Sequence, residues 1–239
     1  MTDLRRVDDA DEIIDAYLDD VRIPGPERPW VVVGMVQSLD GATTVDGRSS
    51  ALGGPPDRAA FRALRAIADV IVVGAGTVRA EGYRAVDLPD PLVAWRVGMG
   101  MAPQPRIAIV SLSLDLDLTD SLAASRPIIL TGSEAPGERL AELGQIADVM
   151  IVGEDGVDVG RGLAALRDMG AGVVTMEGGP SLNGQAMAAG VVDEICVTIA
   201  PSVVGGTSRR IVSGPEFVSS VEPERVMVAD DHLLLRYLT

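Results

Sequence analysis

The residues with the most chemical promise sit at glycine turns. Glu177-Gly178-Gly179-Pro180-Ser181-Leu182 follows the apolar run Val173-Val174-Thr175-Met176 and opens a helical segment. Glycines let main-chain N–H groups approach an anion closely, and a helix N-terminus adds the positive end of its dipole. That is how a diphosphate cradle is built, but an ordinary strand-to-helix turn uses the same residues, and spacing alone does not choose between them. Ile71-Val72-Val73-Gly74-Ala75-Gly76-Thr77-Val78-Arg79 repeats the pattern. Arg79 stands where the third glycine of the dinucleotide fingerprint belongs, so this is neither that fingerprint nor a P-loop. Thr77 suits a phosphate or a helix N-cap, and Arg79 suits a phosphate or open solvent. In Ser38-Leu39-Asp40-Gly41, Asp40 at a strand end fits proton donation or a hydrogen-bonded anchor, and Asp-Gly is equally a plain turn.

Other residues offer less. His232 is the only histidine and lies in a charged turn, where a solvated side chain is expected. No His, Cys, Asp or Glu cluster has metal-ligand spacing, so no metal is expected. Cys196, in an apolar strand, reads as inert packing, and Arg209-Arg210 suits a phosphate contact or, by default, a solvated pair.

Strands and helices must carry these turns. Trp30 to Val36 is an unbroken apolar run and reads as a central strand, with Ala42-Thr43-Thr44-Val45 as a short strand after it. Val70 to Val73, Ile107 to Val110, Ile128 to Leu130, Val149 to Val152 and Val173 to Met176 are further strand-like runs. Helical spacing follows Pro55-Pro56-Asp57 (Phe61, Leu64, Arg65, Ala68) and recurs over Gly137 to Leu143 and Val159 to Met169. Gly82 to Gln104 shows no period and is expected to be the longest irregular stretch. Alternating strands and helices argue for parallel strands with crossover helices. Glu194 to Ile199, Arg225 to Val228 and Leu233 to Leu238 have little helix between them, which predicts an antiparallel C-terminal edge. The expected fold is a single three-layer α/β domain over residues 1–239 with a mixed, mainly parallel sheet. Ile13, Ile14, Tyr17 and Leu18 mark a surface helix, so residues 1–29 read as a helical extension.

Composition narrows the function. A chain of 239 residues can bury a real core, and 47% apolar residues exclude disorder. Aromatics are only 3%, so Val, Ile, Leu, Ala and Met must fill that core, as suits strands covered on both faces. A net charge of −15 repels nucleic-acid phosphates and anionic lipid, so neither partner is expected. No apolar run approaches the roughly 20 residues of a bilayer span. A single cysteine excludes an internal disulfide, and the acidic first twenty residues do not read as a targeting peptide. A cytoplasmic protein is expected. Any phosphorylated ligand would need local arginines and main-chain N–H groups.

One family carries these pieces in this order. Ser38-Leu39-Asp40-Gly41, Gly47-Arg48-Ser49, Leu64-Arg65 and Ala68 to Arg79 resemble its first half. Glu177 to Leu182, Val192-Asp193-Glu194, Ala200-Pro201 and Gly205-Gly206 resemble its second. The chain is similar, over roughly residues 30–238, to the reductase domain of the riboflavin-biosynthesis deaminase-reductase family. That domain belongs to the dihydrofolate reductase-like superfamily, and here it would stand without the deaminase. The resemblance implies NADPH-dependent reduction of 5-amino-6-(5-phosphoribosylamino)uracil to its ribityl form, by hydride transfer to the sugar carbon of a ring-opened imine. It places Thr77, Glu81, Ser111 and Gly178 to Gln185 (Gly178, Gly179, Pro180, Ser181 and Leu182 among them) at the cofactor. Ser49, Arg65 and Glu177 fall at substrate positions, with Arg65 suited to the phosphate and Glu177 to the N–H edge of the pyrimidine. Asp40 is the candidate for proton donation or substrate polarisation, Arg79 for the cofactor 2′-phosphate. A homodimer is implied as well.

Three positions depart from the family pattern. The arginine that helps bind the substrate phosphate is missing from Gly82-Tyr83-Arg84-Ala85-Val86-Asp87-Leu88, where Arg84 is the candidate replacement. An aromatic is replaced by Ala51, and the acidic position Glu81 is commonly Asp. Two rivals follow: a dihydrofolate reductase-like pterin reductase with the same fold and cofactor, and a catalytically silent nucleotide-binding protein.

Overall fold

The computed structural model describes residues 3–239; Met1 and Thr2, at the head of the acidic segment, lie outside them. The elements run β1 (Asp3–Arg6), α1 (Ala10–Leu18), β2 (Trp30–Ser38), α2 (Pro55–Ile67), β3 (Val70–Gly74), α3 (Ala75–Glu81), α4 (Asp90–Gly98), β4 (Arg106–Val110) and α5 (Asp120–Ala124). They continue β5 (Ile128–Thr131), α6 (Gly137–Leu143), β6 (Asp148–Ile151), α7 (Val159–Asp168), β7 (Val173–Met176), α8 (Pro180–Ala188), β8 (Glu194–Ala200), β9 (Glu222–Ala229) and β10 (His232–Leu238). The strands form one sheet in the order β1-β9-β10-β8-β2-β7-β3-β4-β5-β6.

The apolar runs are unbroken because helices cover both sheet faces. Val31 and Val33 of β2 point one way and pack with Val72, Met176, Leu163 and Leu166 of α7 and Leu182 of α8. Val32, between them, points the other way, against Ile13 and Tyr17 of α1 and Ala63 and Leu64 of α2. Ile71, Val73, Ile107 and Ile109 extend that second face beneath Val78, Leu122 and Leu143. The three-layer expectation holds. No helix among the described residues is long and apolar enough to cross a membrane.

The mixed sheet is also as expected, with one refinement at its edge. β10 runs antiparallel to β8 and β9, but the outermost strand is β1, which pairs in parallel with β9 (Leu4 opposite Val226). Residues 3–29 are therefore more than a helical extension. Arg22 of this segment reaches the buried Glu194 at 2.7 and 2.9 Å, and Arg28 holds Asp193 at 2.8 Å or less.

Three local expectations are corrected. Gly82 to Gln104 contains α4, whose start carries Pro91 in the first turn, where a missing N–H costs nothing. Its buried Arg96 bonds the Ala66 and Ala68 carbonyls at 2.7 and 2.5 Å, closing the end of α2. That arginine hides the apolar period a helix normally shows. The longest irregular stretch is instead residues 201–221. Ala42 to Val45 is not a strand, because Thr43 spends both its N–H and its hydroxyl on the Arg209 carbonyl of that stretch.

Candidate active site

β2, β7 and β3 are parallel neighbours, so the turns that leave their C-terminal ends meet at one rim. Ligands of open α/β sheets bind in the crevice outside these ends. A cleft of about 970 Å³ opens there.

One half is made of main chain. The Gly74 N–H donates to the Gly178 carbonyl at 2.7 Å, which locks the two glycine turns side by side. Gly178 has φ +82°, a conformation that favours glycine. A Cβ on Gly179 would lie 2.9 Å from the Thr77 hydroxyl oxygen, so this turn leaves no room for a side chain. Gly179 is the N-cap of α8 and supplies no side-chain cap; Pro180 follows at the first position. In the first turn of α8 Pro180 has no N–H and the Leu182 N–H bonds the Gly179 carbonyl at 2.9 Å, which leaves the Ser181 N–H at the cleft without a capping side chain. Thr77, Gly179, Pro180, Ser181, Leu182 and Gln185 all line it. This cradle, which a single Cβ would fill, fits the diphosphate of a dinucleotide.

The other half is made of side chains. Glu177, at the end of β7, is clamped by Arg65 of α2 through two bonds of 2.7 and 2.8 Å, and Tyr83 donates its hydroxyl to the same carboxylate at 2.5 Å. Burial opposes the charge on Arg65, but the adjacent Glu177 outweighs it and raises the guanidinium pKa above its ordinary value. Burial, then Glu177, pushes the Tyr83 phenol well up, so Tyr83 stays a neutral donor. The Arg65 guanidinium also stacks 4.2 Å from the Phe61 ring centroid. Of two Phe and three Tyr in the chain, Phe61, Tyr17 and Tyr83 line this cleft. The aromatic surface lost at Ala51 is thus supplied from elsewhere.

A second carboxylate, Asp57, lies at the start of α2 and lines the same cleft. Burial raises its pKa, while the Thr198 hydroxyl of β8, then His232 and Arg58, pull it back down. His232 is correspondingly not a solvated residue. It is 8% exposed, its Nδ1 lies 2.8 Å from the Asp230 carbonyl, and its ring packs on Gly54 so closely that a Cβ there would sit 2.5 Å away. Gly54 is glycine because the imidazole takes its side-chain space.

The sequence-predicted residues divide. Ser49, Arg65, Thr77, Glu81, Arg84, Glu177 and Gly179 to Leu182 come together in the cleft. Glu81 does so by accepting the Ser49 N–H at 2.9 Å, tying the 45–50 turn to the end of α3. Gly178 stands just behind, holding Gly74. Asp40 is not brought in. Its carboxylate accepts the Ser38 hydroxyl at 2.5 Å and the Val204 and Gly205 N–H groups at 3.1 and 2.7 Å. Those donors, Ser38 foremost, hold its pKa down at about 2, and through them the carboxylate anchors the 201–206 loop outside the cleft lining. Ser111 is also outside the lining; its hydroxyl accepts the Leu114 N–H at 3.1 Å. Arg79 donates to the Asp115 carbonyl at 2.6 Å, away from the cleft. Sequence reading missed Asp57, Phe61, Tyr83 and Thr198, and it left Arg209, which lines the cleft, in solvent.

The fold and the cleft define an α/β domain whose site joins a main-chain glycine cradle to a polar, aromatic-walled second compartment. The chain belongs to the RibD C-terminal domain family, whose model matches residues 29–235. It is 31% identical, over 88% of its length and 98% of the relative's, to the 2,5-diamino-6-ribosylamino-4(3H)-pyrimidinone 5′-phosphate reductase of Methanothermobacter thermautotrophicus. A reductase of the same name from Aquifex aeolicus is 32% identical over 80% of this chain and 84% of its own. Among solved structures, a pyrimidine reductase-like protein of Corynebacterium diphtheriae superposes with a TM-score of 0.84 at 24% identity, covering 95% of this chain and 98% of that one. The resemblance drawn from the ordered motifs, and the oxidoreductase class it implies, stand.

Proposed function

We propose that this chain is a cytoplasmic reductase that converts a phosphorylated ribosylaminopyrimidine to its ribityl form with NADPH. The observation that carries the reading is the joining, in one cleft, of a glycine-built dinucleotide cradle with the Arg65–Glu177–Tyr83 cluster. When bound, NADPH supplies the hydride that reduces C1′ of the opened sugar. The α8 N-terminus and the Gly178-Gly179 turn hold the diphosphate. Phe61 and Tyr83 wall the pyrimidine. Glu177 accepts three bonds from Arg65 and Tyr83 and so fixes both in place, and its fourth acceptor site, on the oxygen that takes only Arg65 Nε, is left for the N–H edge of the ring. Arg84, Arg58 and Arg209 line the cleft in a strongly acidic protein and supply the local positive charge a phosphate needs.

The matching relatives are named for a 2-amino pyrimidinone, not for the uracil implied by the family resemblance. NADPH consumption should be measured with both ribosylaminopyrimidine phosphates and with dihydrofolate. Turnover with a ribosylaminopyrimidine phosphate is expected. Turnover with dihydrofolate alone would favour a pterin reductase, and none at all would leave a nucleotide-binding protein. We further propose a homodimer. Leu39 and Val203 are 67% and 72% exposed, and the Leu39 N–H bonds the Ser202 carbonyl, so the two form a joint apolar surface. Light scattering should give twice the 24.9 kDa chain mass; a monomer would refute this.

A further inference from the structure

The family model matches the chain from residue 29 onward, yet the segment before it reaches the cleft. Tyr17 of α1 is 1% exposed and packs with Ala60 and Leu64 of α2 and Cys196 of β8. All four line the cleft. Ion pairs hold the segment to the sheet: Arg22 reaches Glu194 at 2.7 and 2.9 Å, and Asp20 accepts Arg225 at 2.8 and 2.9 Å. The Arg225 guanidinium also lies 5.0 Å from the Tyr17 ring centroid. The Tyr17 ring is thus structural, but its hydroxyl is not. Among the described residues, the buried side-chain polar atoms without a partner are Thr131 Oγ1, Asn183 Oδ1, Ser202 Oγ and Arg225 Nε. The Tyr17 hydroxyl is not one of them, and no group among those residues bonds it. It is therefore open, and the space it opens on is the cleft. Burial, then Cys196, pushes the phenol pKa well up, so the hydroxyl keeps its proton as a donor.

The strand register shows what stands opposite. Gly34 of β2 pairs with Cys196, and its neighbour Val33 pairs with Met176, the residue before Glu177. Cys196 and Glu177 thus flank Gly34 from the two neighbouring strands, two strand spacings or about 10 Å apart. One side of this row offers the free acceptor site of Glu177, the other the Tyr17 O–H. We infer that Tyr17, from a segment outside the matched domain, is a substrate-contacting residue whose hydroxyl donates to a carbonyl of the pyrimidine ring. This rests on the reading of the chain as a pyrimidine reductase and adds a residue to its substrate half. A ring with N–H groups on one edge and a carbonyl on another fits between an acceptor and a donor in one sense only. Turned end for end, it would set its carbonyl against the Glu177 carboxylate with no proton between them. Tyr17 and Glu177 together therefore fix the orientation of the ring.

The test is Tyr17→Phe, which removes the hydroxyl and keeps the ring beside Arg225. KM for the ribosylaminopyrimidine phosphate should rise about tenfold, with kcat, NADPH affinity and the urea midpoint as in wild type. The midpoint should hold because the hydroxyl has no protein partner to lose. An unaltered KM would overturn the inference, and so would a lowered midpoint with KM unchanged, which would make the hydroxyl structural. Binding of 6-aminouracil, followed by ligand NMR, reads the same contact without turnover. If no ribosylaminopyrimidine phosphate is reduced yet 6-aminouracil binds wild type about tenfold more tightly than Tyr17→Phe, the reductase reading fails and the contact stands. If the two proteins bind it alike, the contact fails whatever the turnover.

Discussion

The two halves of the cleft are built from different materials. The cofactor half is main chain: two glycine turns locked by one N–H···O bond and an uncapped helix start. The substrate half is side chains brought from far apart, with Arg65 meeting Glu177 across 112 residues and Tyr83 meeting it across 94. A main-chain site depends on a few consecutive residues whose only requirement is to be small. A side-chain site depends on every partner being delivered by a different element. The first tolerates change poorly at the glycines and freely elsewhere; the second is sensitive at each charged partner.

Substitutions can break this contrast. The largest effect is expected from Arg65→Ala, which strands the Glu177 carboxylate in a buried site; side-chain exposures are 22% for Arg65 and 2% for Glu177. Removing one partner of such a pair costs about 3–5 kcal/mol, so urea unfolding should shift strongly and KM should rise as well. A variant of unchanged stability would show that the clamp is not structural. Next comes Gly54→Ala, whose Cβ would meet the His232 ring at 2.5 Å; overpacking of this kind costs about 1–3 kcal/mol. Pairing it with His232→Ala should recover part of the loss, and strict additivity of the two would contradict the packing account. Gly179→Val should push the Thr77 hydroxyl aside within the turn, its Cβ otherwise lying 2.9 Å away, and weaken NADPH about tenfold or more, about 1.4 kcal/mol. An unchanged affinity in a fluorescence titration would remove the turn from the cofactor site.

The smallest effect belongs to Asp40. Its folded pKa of about 2 lies below the roughly 3.9 of an unfolded aspartate. Its contribution to stability is therefore fully present above about pH 4 and is lost as pH falls toward 2. Asp40→Asn should flatten that limb of the stability profile slightly and leave kcat unchanged. A large loss of kcat would return Asp40 to the chemistry.

This contrast also explains what could be read without coordinates. Glu177 to Leu182 and Gly74 to Thr77 were legible as cradles because each is a short continuous segment following an apolar strand. The parallel strands β2 to β7 were legible for the same reason, since each is a local apolar run, whereas β1, Asp3-Leu4-Arg5-Arg6, is not and went unread. Asp57 read only as part of a helix start, and His232 as a solvated turn residue. Nothing in the sequence says that β10 returns a histidine to the N-cap of α2. Asp40 misled because a strand-end aspartate has the same neighbours in sequence whether it faces a cleft or anchors a loop. Its actual partners, Val204 and Gly205, lie 164 and 165 residues away. Tyr83 went unread because its stretch shows no period, and its hydroxyl acquires meaning only beside Glu177.

The central claim is that both halves act on one reaction. It is tested most directly by incubating the protein with 4-deuterated NADPH and the 2,5-diaminopyrimidinone ribosylamino phosphate, then locating the label by mass spectrometry. The account predicts a ribityl product carrying one deuterium at C1′, formed in step with cofactor oxidation. Cofactor that binds but is not consumed, or a product without label at C1′, would contradict it.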